Sequence, residues 1–397
     1  MAKRLKIAFV VARYGEKVNG GAETECALYA DYLSENHDVT VLTTKALDYR
    51  TWKNEYKEKE SVEKGIRILR FNVDRPRKMD RFNKLTQRIR KEGEKPELLK
   101  SWMEAQGPSC SELSSYIKEN RDNYDVFFFM TYLYATTYDN IEAVKDKAVL
   151  IPTAHDEWAV KLSVFKRVFE TPAGLFYNSK EERAFVEANF NVKGKLVNDK
   201  GGVGVEEHKT GLGTPSVKGL KKGEYILYTG RLDPHKGVED LVEMFNRYKE
   251  ENPSGLKLCL AGKDAGAKVW GEDVICTGFV SEEEKFNLID NSCFFVMPSK
   301  YESLSISVLE AFSMKKAVLC DADCEVVRNH CKNGNAGLYY KDYYEFEACI
   351  NYMLSHREIL ETMGANGADY VRESYSRDAI KKELEIISLN IFDRNRA

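Results

Sequence analysis

The chain has 397 residues, 43% of them apolar, and a formal net charge of −3. That length exceeds what one hydrophobic core usually serves, so two domains are expected, and the near-balanced charge gives no global attraction to nucleic acid. Nine irregularly spaced cysteines read as reduced thiols of a cytosolic protein, and no segment approaches the roughly 20 apolar residues that span a bilayer.

The N-terminal MAKRLKIAFVVARYG has too short an apolar run for a signal segment and reads as a first strand. Further runs follow in chain order: HDVTVLTT, GIRILRFNV, YDVFFFMTY, AVLIPTA and GLFYNS, then YILYTG, LKLCLAG, DVICTGFV, CFFVMPS, AVLCDA and GLYY. Between them lie amphipathic stretches such as AETECALYADYLSEN and VEDLVEMFNRYKEE. Continuous Val/Ile/Leu/Phe runs alternating with helices predict strands covered on both faces, hence a parallel doubly wound sheet, and the pattern occurs twice. The fold class expected is α/β, two Rossmann-like domains facing across a cleft. The boundaries are 1–203 for the first domain, a Gly/Lys/Pro-rich linker at 204–222, and 223–376 for the second. A final helix at 377–392 is expected to pack back on the first domain.

Ligands of open α/β sheets sit beyond the carboxyl ends of the strands, so the residues just after each run are the candidates. Gly20 and Gly21 lie in VNGGA between the first strand and its helix, where they permit close backbone approach or simply make a tight turn. His155 closes AVLIPTA and could donate to a sugar hydroxyl or serve only the loop. Arg231 and Lys236, in RLDPHKG after YILYTG, put a guanidinium and an ammonium beside a helix start, which favours an anionic phosphate over a plain pair of surface cations. In MPSKYESLSISVLEAF, Glu302 and Glu310 stand eight apart among apolar residues and serines; Ser303 and Ser305 are N-cap candidates. A rise of about 1.5 Å per residue separates the two carboxylates by roughly 8–12 Å, a span suited to the hydroxyls at either end of a nucleotide sugar. Cys320, Cys324, Cys331 and His330 fit no usual zinc spacing, and Asp321-Ala322-Asp323 reads as a strand-end turn rather than a magnesium site.

Together, YTGRLDPHKGVEDLVEMF, LCLAGK, TGFVSEEE and PSKYESLSISVLEAFSMKKAVLCDADCEVV, preceded by NGGAETECALYADYLSENHDVTVLTT, TAHDE and FYNSKEERAFV, resemble the retaining glycosyltransferases of the GT-B fold, and more closely their family 4, glycosyl transferases group 1. The resemblance implies that Glu302 holds donor-sugar hydroxyls, Glu310 the ribose, Arg231 and Lys236 the departing diphosphate, Gly20 and Gly21 the diphosphate or acceptor, and His155 the donor sugar. It further implies that Ser303, Leu304 and Ser305 line the donor, that Gly278, Phe279 and Val280 contact the base, and that no metal or other cofactor is needed, the nucleotide sugar (UDP- or GDP-linked) being substrate. Ser303-Leu304-Ser305 stands where the family commonly has Phe-Gly, Ser305 replacing a glycine, and Ala322-Asp323 where two glycines are usual.

The expected function is sugar transfer from a nucleotide-diphosphate donor to a glycan or lipid-linked acceptor in bacterial cell-surface polysaccharide synthesis. The alternative is a non-catalytic sugar-nucleotide-binding GT-B protein. Residues 75–91, RPRKMDRFNKLTQRIRK, carry eight Lys/Arg against one acid, either a solvated face or a contact with an anionic membrane. Such a contact would place a cytoplasmic protein peripherally at the inner face of that membrane. With Phe82 as its one aromatic, the segment does not suggest a nucleic-acid partner. SWMEAQGPSCSEL, which follows, is expected to form part of an acceptor wall.

Overall fold

Every apolar run named above becomes a strand in the computed structural model, which describes residues 3–18, 20–206, 208–233, 236–263 and 270–396. The chain forms two compact units, Met1–Gly204 with Arg377–Ala397, and Val205–Ser376.

The first unit holds β1 (Lys6–Val10), β2 (Asp38–Thr44), β3 (Glu60–Glu63), β4 (Ile66–Phe71), β5 (Val126–Met130), β6 (Ala148–Ile151), β7 (Gly174–Leu175) and β8 (Leu196–Val197) in the order β3-β4-β2-β1-β5-β6-β7-β8. All neighbours are parallel except β3, an edge strand antiparallel to β4. The central strands are buried on both faces, as their unbroken apolar sequence requires; Phe9 of β1 stacks on Phe128 of β5 at 5.0 Å. The C-terminal helix Arg377–Arg394 lies against the helix Gly21–Ser34, with Arg377 paired to Asp31 at 3.2 Å and to Glu35 at 2.5 Å, and Lys381 also on Glu35.

Residues 101–113, expected above to help form an acceptor wall, also supply part of the core. The helix Pro96–Gln106 turns Leu98, Leu99, Trp102 and Met103 inward at helical spacing, and Leu113 follows them into the core.

In the second unit β9 (Tyr225–Thr229), β10 (Lys257–Ala261), β11 (Val274–Gly278), β12 (Phe295–Met297), β13 (Val318–Asp321) and β14 (Gly337–Tyr340) form an all-parallel sheet in the order β11-β10-β9-β12-β13-β14. Residues 205–222 belong to this unit and are tied to its helix Glu282–Asn291. Gly211 and Leu212 donate backbone N–H groups to Asp290 at 2.7 and 2.9 Å, and His208 stacks on Phe286 at 3.6 Å. Among the described residues no helix is long and apolar enough to cross a membrane.

Candidate functional site

In the second unit the candidates gather at the carboxyl ends of β9 and β12, which are neighbours in the sheet. Gly237 begins the helix Val238–Glu251 with φ +68°, and a Cβ there would lie 2.4 Å from the Pro298 carbonyl oxygen. Only glycine fits that approach, which brings the turn after β9 against the end of β12. Lys236 thereby reaches Glu302, Nζ to Oε1 2.6 Å, with side chains 23% and 13% exposed. Arg231, about half exposed, lies 3.7 Å from Asp233 Oδ2, so one guanidinium and one ammonium share this strand edge. Asn19, Pro234 and His235, quoted above with the two turns, lie outside the described residues.

Glu310 sits one turn into the helix Ile306–Ser313 and pairs with Lys285, Nζ to Oε1 2.8 Å. Burial pushes its carboxyl above the usual carboxylate range, an effect that Lys285 opposes. Lys285 lies in the acidic run SEEEK and was not singled out from sequence, where it looks like one more surface charge. At the end of β11 come Gly278, then Phe279, 69% exposed, and half-buried Val280.

Ser305 occupies the N-cap position but does not cap: its side chain makes no cap hydrogen bond, and its backbone is left-handed at φ +65°. Its Oγ is buried without a hydrogen-bond partner. A serine thus adopts a backbone shape that suits glycine, while Ser303 lies half-buried just before it and Leu304 is buried with its carbonyl oxygen 3.0 Å from His330 Nε2. Ser305→Gly should stabilise this unit by roughly 1 kcal/mol through relief of that strain, measured by urea denaturation. A loss of stability would instead mean that the hydroxyl holds the loop.

The cysteine cluster is structural in character. Cys320 and Cys331 thiols lie 3.8 Å apart in the core, His330 Nδ1 faces Tyr370 Oη at 2.9 Å, and Asp321 Oδ1 accepts the Asp323 N–H at 2.8 Å, closing the turn.

The first unit arranges its candidates separately. A Cβ on Gly20 would lie 2.0 Å from Glu23 Oε2, because Glu23 folds back to accept two hydrogen bonds from buried Arg13 at 2.6 and 2.9 Å. Gly20 is therefore explained by that ion pair, whereas Gly21, the first helical residue, has open space around its Cα. His155 lies beyond β6, with Nε2 3.9 Å from Glu157 Oε2; Tyr132, buried beyond β5, donates to Glu157 Oε1 at 2.5 Å. Thr131 and Thr153, just past the same two strands, have φ +60° and +51°, outliers for β-branched residues and the kind of strain that collects at functional loops.

Beneath this loop Glu182 accepts from the Ala154 N–H at 2.5 Å and the Asn178 N–H at 2.6 Å, and Glu25 accepts from Asn178 Nδ2 at 3.1 Å. Burial pushes both carboxyls up to about 8.

The basic segment forms the helix Met79–Glu92, and the fold sorts its cations. Arg77 turns inward to Gln106, Arg90 lies over the Trp158 ring at 4.8 Å, and Arg88 pairs with Glu92 at 2.9 Å. Lys78, Arg81 and Lys84 remain exposed and, with Met79, Asp80, Leu85 and Arg88, line a groove of about 750 Å³.

Residues 215–370 match the model of the family described as glycosyl transferases group 1. The alpha-D-kanosaminyltransferase of Streptomyces kanamyceticus is 27% identical over 177 residues, 42% of this chain and 45% of that protein. The N,N'-diacetylbacillosaminyl-diphospho-undecaprenol alpha-1,3-N-acetylgalactosaminyltransferase of Campylobacter jejuni is 25% identical over 184 residues, 44% of this chain and 46% of that protein. The match thus spans under half the length of each relative. Over nearly the whole chain the fold resembles that of Alr3699/HepE from Anabaena, solved with UDP and glucose: TM-score 0.71 at 14% identity, covering 96% of this chain and 99% of that one. The second unit carries a glycosyl transferases group 1 domain, and the fold of the chain is that of the GT-B glycosyltransferases.

Proposed function

We propose that this protein is a retaining, metal-independent glycosyltransferase of family 4, moving a sugar from a UDP- or GDP-linked donor to a glycan or lipid-linked acceptor in bacterial cell-surface polysaccharide synthesis. The observation that carries this reading is the juxtaposition of Arg231, Lys236 and Glu302 at the ends of two neighbouring strands inside the matched domain. A guanidinium and an ammonium there can neutralise the charge that grows on a departing diphosphate, the electrostatic task a metal ion performs in other enzymes. Glu302 would hold the sugar hydroxyls, Glu310 the ribose, and the leaving phosphate would help to deprotonate the acceptor as it attacks from the same face. His155 would face the donor sugar and Gly21 the diphosphate or acceptor, while Gly278, Phe279 and Val280 would line the base. The HepE complex with UDP and the diphospho-undecaprenol acceptor named for the Campylobacter relative support the donor and acceptor classes.

The experiment is a panel of UDP-, GDP- and TDP-sugars with candidate glycan and polyprenyl-linked acceptors, monitored for released nucleoside diphosphate. Turnover of one donor establishes the reading. Binding of donors without turnover under any acceptor would leave a non-catalytic sugar-nucleotide binder, the outcome favoured by the serine in glycine's place at 305.

A lipid-linked acceptor implies a protein at the cytoplasmic membrane surface, and the groove cations Lys78, Arg81 and Lys84 suit anionic headgroups at about 1 kcal/mol each. Co-sedimentation with phosphatidylglycerol vesicles should be strong at low salt, weak at high salt, and reduced by Arg81→Gln with Lys84→Gln. Equal recovery with neutral vesicles would return the helix to an ordinary solvated surface.

A further inference from the structure

Lys285 occupies the first turn of the helix Glu282–Asn291, which follows β11, and Glu310 the first turn or so of the helix that follows β12. A cation near a helix N-terminus opposes the helix dipole, so this position is unfavourable unless carboxylates offset it. Two do so, Glu282 at 2.8 Å on the same helix and Glu310 at 2.8 Å on the other, and both Lys285 and Glu310 side chains are about 15% exposed. Burial pulls the Lys285 ammonium down, but the two carboxylates outweigh it and its pKa is raised. For Glu310 burial pushes the carboxyl up and Glu282 adds to that; Lys285 is the group that resists.

We propose that Lys285 is a positioning residue for nucleotide binding, holding Glu310 ionised and oriented so that both carboxylate oxygens accept hydrogen bonds from the vicinal hydroxyls of a nucleoside diphosphate. This rests on the reading of Glu310 as the ribose-holding group. A protonated carboxyl turns one acceptor oxygen into a donor and can no longer grip two hydroxyls in that way. Without the ammonium, Glu310 stays protonated to higher pH. Because the acid ionises as pH rises, nucleotide binding by a protein lacking Lys285 is weak at low pH and recovers as pH increases.

UDP and GDP binding by calorimetry between pH 6 and 9 tests this in the full chain. Lys285→Met should weaken binding at the acid end, by up to about 10-fold for each unit by which the carboxyl pKa rises, and regain most of it at the alkaline end. Lys285→Arg should bind nearly as the natural protein does, and Glu310→Gln weakly at every pH. Lys285→Gln gives the same readout if the methionine variant does not fold. Normal binding by Lys285→Met beside weak binding by Glu310→Gln overturns the role of Lys285 alone, as does a weakening that does not change with pH. Full binding by Glu310→Gln, or no binding of either nucleotide by the natural protein, overturns the ribose assignment and this inference with it.

Discussion

Lys236→Ala is expected to lower sugar-transfer turnover on the order of 10²-fold or more, and Arg231→Ala to do the same, because under the proposed function each removes a preorganised positive group from the place where diphosphate charge would develop. The two losses differ in what else they disturb. Lys236 neutralises Glu302 across 2.6 Å, and the Glu302 side chain is only 13% exposed, so Lys236→Ala also leaves a largely buried carboxylate without its counter-ion. Arg231 is half exposed, and its removal should leave stability close to that of the natural protein. Lys236→Ala should therefore lose both rate and thermal stability, and Arg231→Ala mainly rate. Steady-state kinetics on the donor found by the panel, beside thermal melts, separate the two. Unchanged rates in both variants would place the diphosphate elsewhere.

Glu25→Gln should stabilise the protein at alkaline pH by a few kcal/mol and change it little near pH 5. Glu25 and Glu182 are buried acids with carboxyls raised to about 8, and Glu25 Oε1 has no hydrogen-bond partner. The folded state therefore holds protons that the unfolded chain releases near the ordinary carboxylate pKa of about 4.3. Between that value and about 8 the unfolded state binds fewer protons, so stability falls as pH rises through this window and levels off above it. A pKa displacement is worth about 1.4 kcal/mol per unit, which sets the scale. Urea denaturation followed by tryptophan fluorescence suits the test, since Trp52, Trp102 and Trp158 all lie in the first unit. A pH dependence that survives undiminished in the double variant Glu25→Gln with Glu182→Gln would mean that these acids are not the source.

The sheets were legible in the sequence because strands covered on both faces carry unbroken apolar runs, VFFFM and YILYT being the plainest. Strand β3 was not, since ESVE has too little apolar content to stand out and gains its partners only by lying antiparallel on β4. At the candidate site, residue types at strand ends pointed to Arg231, Lys236, Glu302 and Glu310. Their actual pairing was invisible, because it depends on β9 and β12 being neighbours although Lys236 and Glu302 are 66 residues apart. Lys285 and Tyr132 were missed for related reasons: one hides in a run of acids, and the other reads as core until the loop after β6 brings Glu157 to its hydroxyl. Ser305 was marked as a cap from composition alone, and its left-handed backbone shows that conformation, not hydroxyl chemistry, sets that position.

The chain leaves the first unit after Gly204 and rejoins it at Arg377, where a Cβ on Gly204 would come within 2.5 Å of the Arg377 Cα, while the Val205 N–H bonds to the Tyr375 carbonyl at 2.9 Å. The second unit is thus spliced into the first through two adjacent seams, one outgoing and one returning. A related second unit could be grafted at those seams without rethreading the recipient, whereas trimming the chain at residue 376 would strip the helix Arg377–Arg394 from the first unit.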